Sequence, residues 1–189
     1  MQNHRLLTAG AAVALASLSL AWSHPAQAAL RAGDKAPPFT LKTVDKGEPR
    51  ALDVLTRDKK TKGVVLVFLS CKCPYVVQAR QPLAELSKQY GAQVQFVGIN
   101  SNQNESAEDI KSDAALNFPF TMLRDERSKI ADAYLAERTP EIFLVDANGV
   151  IQYKGGITDL GTALAEFTAG KPLSRTESKA FGCTIKRKP

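Results

Sequence analysis

Cys71, Cys73 and Cys183 are the residues of this chain whose type and placement could do chemistry. Two of them stand in Cys71-Lys72-Cys73-Pro74, directly after the apolar run Val64-Val65-Leu66-Val67-Phe68-Leu69 and directly before a helical pattern that Pro74 opens. A short apolar run of this kind reads as a buried strand, so both thiols fall where a strand ends and a helix begins. The N–H groups of a first helical turn lack partners within the helix, and together with the helix dipole they favour a thiolate over a thiol. Cys73, at or beside the N-cap, is therefore the candidate nucleophile. A lowered pKa would also make it a good leaving group in thiol–disulfide exchange. The plainer alternative is an inert cysteine buried at the end of a strand.

Two residues could resolve an oxidised Cys73. Cys71 lies two positions away, and a Cys-x-Cys disulfide closes a ring so small that strain would make it easily reduced. Cys183 lies 110 positions away. A bridge to it would tie the C-terminal tail onto the site, with Gly182 allowing close backbone approach, and could stabilise the fold by up to about 4.7 kcal/mol in the chain-entropy view. Cys183 could equally be a tail staple with no part in catalysis. Lys72 would add a positive charge near the sulfur if its side chain turns that way. Arg80, two helical turns after Cys73, could share its helix face; the ordinary reading of such a residue is a solvated helix charge. Glu105, Glu108 and Asp109 read as the solvated start of another helix.

The remaining composition narrows the chemistry. Arg5, an uncharged apolar stretch from Leu6 to Trp22 and the small-x-small pattern Ala26-Gln27-Ala28 mark residues 1–28 as a cleavable signal peptide. A retained membrane anchor is the alternative. Both histidines, His4 and His24, fall within this segment. A chain beginning after Ala28 has no imidazole, which excludes a Ser–His or Cys–His pair and any metal site built on histidine. It would work in the periplasm or outside the cell, where disulfides persist, without stable membrane insertion. The formal charge of +6 is modest, and its clusters Lys59, Lys60, Lys62 and Lys186, Arg187, Lys188 read as solvated surface. Nothing points to nucleic acid or to a cofactor.

Those thiols need a scaffold. Phe39-Thr40-Leu41 reads as a short strand and Arg57 to Gly63 as a charged loop. Val64 to Leu69 and Val94 to Ile99 read as buried strands, with Pro74 to Tyr90 the helix between them. Ala79, Leu83, Leu86 and Tyr90 keep helical spacing, Pro82 should kink the helix, and Gly91 suits its C′ position. A helix is expected over Glu105 to Leu116, an extended piece over Phe120 to Leu123 and a short helix over Glu126 to Ala136. A hairpin follows, Glu141 to Val145 and Val150 to Tyr153 around Asn148-Gly149, then a last helix through Leu160, Leu164 and Phe167. The order predicts one α/β domain, residues 29–170, with a mixed central sheet and helices on both faces. Residues 171–189 would form a basic C-terminal tail carrying Cys183.

This order, with Cys73-Pro74 at the first strand–helix junction, resembles the thioredoxin-like superfamily and, within it, the redoxin branch of AhpC/TSA peroxiredoxin-like and TlpA-like proteins. Pro82 matches the usual helix kink, and Thr139-Pro140 matches the cis-proline before a strand. Asp146-Ala147-Asn148-Gly149 with Tyr153-Lys154-Gly155 matches the hairpin that follows. The resemblance implies that Thr139 and Pro140 face Cys73 and bind an extended substrate strand, and that Ser70 stands at a thiolate-stabilising position. Two departures are plain. Ser70 stands where a Cys-x-x-Cys motif would place its other cysteine, and Leu66 replaces the proline of the peroxidase motif. The implied activity is thiol–disulfide exchange with a protein thiol or disulfide, or reduction of a small peroxide by a thiol. A Cu(I)-binding module built on Cys71 and Cys73, or a non-catalytic scaffold with a partner-binding tail, are the alternatives.

Overall fold

The computed structural model describes residues 30–187, except for the side chains of residues 113–117. The expected signal peptide lies outside the described residues. The chain runs β1 (Thr40–Thr43), β2 (Pro49–Ala51), α1 (Leu52–Thr56), β3 (Gly63–Leu69), α2 (Pro74–Tyr90) and β4 (Val94–Asn100). It continues with α3 (Ala107–Asn117), β5 (Thr121–Arg124), α4 (Lys129–Ala133), β6 (Arg138–Thr139), β7 (Glu141–Asp146), β8 (Ile151–Gly155), α5 (Leu160–Thr168) and β9 (Cys183–Thr184). Seven strands form one mixed sheet in the order β2-β1-β5-β4-β3-β7-β8, and β6 pairs with β9 alone.

Strand β3 organises the molecule. It is parallel to β4 on one side and antiparallel to β7 on the other, and it is buried at every residue. Its alternating side chains divide the core. Val65, Val67 and Leu69 pack with Val76, Ala79 and Leu83 of α2, Ile110 of α3, and Leu160 and Leu164 of α5. Val64, Leu66 and Phe68 pack on the opposite face with Leu52, Leu55, Ala131 and Tyr134. Each fully buried side chain of this size contributes about 1.5–3 kcal/mol, so the strand whose end carries the thiols is among the most firmly held in the protein.

The expected helix Pro74 to Tyr90 is observed with those bounds; Pro74 sits at its start and Cys73 is its N-cap in extended conformation. Gly91 differs from expectation: it ends the helix in right-handed conformation, its N–H bonded to the Ser87 carbonyl, so no left-handed cap forms. The helix expected from Glu105 begins at Ala107, because Ser106 and Asp109 exchange side-chain-to-backbone bonds of 3.0 Å and cap it there. The expected helix Glu126 to Ala136 is broken into a 3₁₀ turn (Glu126–Ser128) and α4. Arg127 and Ser128 adopt φ of 66° and 56°, while the buried Asp125 carboxylate accepts the N–H groups of Ile130 and Ala131 and caps the second piece.

The tail also departs from a simple polar extension. The Lys154 N–H donates to the Thr176 carbonyl and the Ser178 N–H to the Lys154 carbonyl, so residues 176–178 run beside β8. The chain then crosses to β6, where Thr139 registers with Cys183. Ile185 is 2% exposed and packs in the second core cluster. Among the described residues, no helix is long and apolar enough to cross a membrane.

Candidate active site

Cys73 stands where β3 hands over to α2, and its side chain is only 1% exposed. The sequence suggests a thiol exposed at a helix start; here the tail lies over it. The Cys73 sulfur is 2.7 Å from the Cys183 sulfur and 3.1 Å from the Thr139 carbonyl oxygen. Burial is the largest single influence on the Cys73 thiol and pushes it up. Hydrogen bonds from the Cys183 thiol, the Thr139 side chain and the N–H groups of Val76 and Cys183 together outweigh burial and hold it below the ordinary cysteine value. The Val76 contribution is the helix-mouth effect expected of an N-cap thiol. Cys183 moves the other way: burial, its hydrogen bond to Cys73 and the charge forming there push it up, against Lys186 and the Tyr75 N–H. Of the two thiols, Cys73 is therefore the one that gives up its proton first.

Cys71 occupies a different environment. Its sulfur is turned to the Asn100 side-chain amide at 3.8 Å, and burial followed by the nearby Glu105 pushes its thiol up to about 12. Glu105 is 4% exposed, in contrast to the solvated helix start expected for it. It is excluded from α3 by the Ser106–Asp109 cap and folds back beneath the turn before Cys73. Its carboxylate accepts the Ser70 hydroxyl, the Cys71 N–H at 3.1 Å, the Lys72 N–H at 3.2 Å and the Asn100 amide. Four donors around one buried carboxylate satisfy it and lock the turn.

The other residues singled out in the sequence separate into two groups. The Thr139 carbonyl lies against Cys73, and a cis peptide bond joins Thr139 to Pro140. The buried Glu141 carboxylate steadies the approach to them, accepting the N–H groups of Glu137 and Arg138 at 2.9 and 3.0 Å. Ser70 and Lys72 engage groups other than the Cys73 sulfur. Ser70 serves Glu105 and accepts the Lys72 N–H. The Lys72 ammonium is 2.8 Å from Asp109 and 3.3 Å from the Asn104 carbonyl. The Arg80 guanidinium lies over the Phe118 ring at 5.7 Å, and its charge acts on Cys71. Among the described residues, no group of three or more His, Cys, Asp or Glu side chains is placed to hold a metal ion. Cys71 faces the Glu105 carboxylate while Cys73 faces Cys183.

Sequence reasoning missed Glu105 and Asn100 as parts of the site. A signal existed: Asn100-Ser101-Asn102 continues a buried apolar strand with polar residues, at the carboxyl ends of parallel strands where α/β sheets place their sites.

Taken together, the mixed sheet covered on both faces and the thiol at the first strand–helix junction define a thioredoxin-like protein. More narrowly, the chain belongs to the AhpC/TSA family, whose model matches residues 32–154. It is similar to an uncharacterized conserved protein from Geobacillus kaustophilus, 30% identical with a TM-score of 0.76, covering 84% of this chain and 93% of that one. A hypothetical protein from Sinorhizobium meliloti is 27% identical with a TM-score of 0.75, over 84% of this chain and 96% of that one. A candidate thiol:disulfide interchange protein DsbE from Chlorobium tepidum is 26% identical with a TM-score of 0.57, over 66% and 84%. No curated protein matches the sequence.

Proposed function

We propose that this chain is an exported thiol–disulfide oxidoreductase in which Cys73 and Cys183 cycle between dithiol and disulfide. The observation that carries this reading is the direct contact of the two sulfurs, 2.7 Å apart, with Cys73 held low and Cys183 held high. In the oxidising half-cycle Cys183, as its thiolate, opens the substrate disulfide, forming a mixed disulfide and releasing the first substrate thiol. The Cys73 thiolate then attacks the Cys183 sulfur, closes the Cys73–Cys183 bond and expels the second, so the substrate accepts two electrons and leaves as two thiols. In the reducing half-cycle Cys73 is the better leaving group, because the same hydrogen bonds stabilise its departing thiolate. The Arg5, Leu6 to Trp22 and Ala26-Gln27-Ala28 features support export. The similarity to the Chlorobium protein supports thiol–disulfide chemistry.

Membership of the AhpC/TSA family supports a second reading, a thiol peroxidase using the same sulfur. The Cys73 thiolate would attack the peroxide O–O bond, giving a sulfenic acid and an alcohol. The Cys183 thiol would then condense with it, forming the disulfide and releasing water. Oxidation of the full chain with oxidised glutathione, followed by proteolysis and mass mapping, tests the shared core of both readings. A Cys73–Cys183 bridge with Cys71 free is expected; a Cys71–Cys73 bridge, or none, overturns the pairing. Consumption of a hydroperoxide with a thiol reductant then separates the two activities.

A further inference from the structure

The edge of β6 beside Cys73 is where an extended polypeptide could add as a strand, with Thr139 supplying the backbone contacts. That edge is already taken: β9 lies on it, with Cys183 opposite Thr139 and Thr184 opposite Arg138. The occupant is fitted to the place. A Cβ at Gly182 would overlap the Thr139 carbonyl, so only glycine lets the tail lie this close. It is also fastened on both sides of Cys183. Upstream, the Ser178 hydroxyl is 2.7 Å from the hydroxyl of the buried Tyr153 and accepts the Gly156 N–H at 3.2 Å. Downstream, the Ile185 N–H donates to the Glu137 carbonyl at 2.9 Å, and the Lys186 N–H to the Asn102 side-chain oxygen at 2.9 Å. Arg187 adds an ion pair of 2.6 Å to Asp132. The result is a strap that hides Cys73 while Cys183 stays partly exposed.

We infer that residues 176–187 form a built-in occupant of the polypeptide-binding edge, so that the thiol pair exchanges electrons with low-molecular-mass thiols and disulfides at Cys183 and excludes extended protein strands. This rests on the thiol–disulfide reading above and adds its substrate class. In the reducing direction a small thiolate attacks the Cys183 sulfur of the Cys73–Cys183 bridge. A mixed disulfide forms on Cys183, the bridge breaks, and its electron pair leaves on Cys73. A second small thiolate attacks the outer sulfur and releases the small-molecule disulfide, and Cys183 takes a proton from water. Two external thiols are oxidised to one disulfide, and the protein gains two electrons.

The test uses the full oxidised chain, reduced in parallel by glutathione and by an unstructured peptide with one central cysteine, at equal thiolate concentration. Glutathione is expected to react at least about tenfold faster, with its trapped adduct on Cys183, since the peptide must await strap opening. Ile185→Ala, which withdraws the buried anchor, should raise the peptide rate by about tenfold or more and leave the glutathione rate within about twofold. Arg187→Ala removes only the outer fastening and should act in the same direction if Ile185→Ala does not fold. Equal rates in the unaltered chain, or a peptide rate indifferent to both variants, overturn the inference. If no Cys73–Cys183 bridge forms, the functional reading fails on its own. The strap is then judged by alkylation of Cys73 with iodoacetamide and with a polymer-linked maleimide. A bulky-reagent deficit relieved in Ile185→Ala sustains it, and an unchanged ratio of the two rates sinks it.

Discussion

On one side of Cys73 lies a turn, residues 70–72, drawn down onto a buried carboxylate; on the other lies a strand from the far end of the chain. Each side offers a second cysteine. Cys71 is near in sequence but faces Glu105, whose charge opposes a thiolate. Cys183 is remote in sequence yet touches the Cys73 sulfur and shares a hydrogen bond with it. The difference teaches that the partner of a redox thiol is chosen by what surrounds each sulfur in space. Chain spacing alone leaves Cys71 and Cys183 equally eligible; a single buried carboxylate and a single glycine separate them.

The sharpest way to break this comparison is to delete each flanking thiol in turn. Cys183→Ser should lower thiol–disulfide exchange activity by roughly 10²-fold or more, since the two sulfurs act as one unit. Cys71→Ser should leave it within a few-fold. Equal losses in the two variants, read in the same glutathione-coupled assay, would return Cys71 to the cycle. Cys183→Ala should also raise the pH at which Cys73 becomes alkylated, because the largest of the hydrogen bonds that lower its pKa comes from the Cys183 side chain, which alanine removes.

The next largest effect concerns the carboxylate. Glu105→Gln keeps the shape but places an amide among groups that need an acceptor: the Ser70 hydroxyl, the Cys71 and Lys72 N–H groups and the Asn100 amide. Leaving one or two of them unsatisfied costs about 1–3 kcal/mol, measurable by urea unfolding. The same variant should increase alkylation of Cys71 at mildly alkaline pH. The linkage has a definite sign. The Cys71 thiol lies at about 12 in the fold against an ordinary cysteine value of 9.0, so the folded chain holds a proton that the unfolded chain releases. Stability from this group is fully present below pH 9.0 and is lost as pH climbs towards about 12. The fall should be shallower in Cys71→Ser; an identical pH profile would mean that the fold does not hold the Cys71 proton.

How much of this was legible depended on whether a residue's role was local. Val64 to Leu69 and Pro74 to Tyr90 could be read because a buried strand and a Pro-initiated helix leave their period in the sequence itself. Cys73 at the helix mouth followed from those two elements. Strands β6 and β9 have two residues each, too few for any alternation, and their pairing spans the chain from Thr139 to Cys183. Glu105 looked like a helix-start acid, since nothing within its own segment reveals that the Ser106–Asp109 cap turns it inward. The left-handed Arg127 and Ser128 likewise depend on a carboxylate, Asp125, whose burial is a tertiary fact. Nor does the tail reveal its own anchor: Phe181 and Ile185 are both large apolar residues in a basic stretch, yet Phe181 is exposed and only Ile185 is buried in the core.

The smallest expected effect sharpens the comparison most cleanly. Lys72 sits between the two cysteines in sequence and is the nearest cation along the chain, so a purely local view assigns it to the thiolate. In the fold its ammonium is 2.8 Å from the Asp109 carboxylate, and its side chain is 53% exposed. A charge already paired and bathed in solvent is screened from other groups. Lys72→Ala should therefore leave the pH midpoint of Cys73 alkylation unchanged within error, whereas Cys183→Ala moves it upward. A midpoint that climbs as far in Lys72→Ala as in Cys183→Ala would place the stabilising charge on the turn side of Cys73 and reverse the assignment of the two sides.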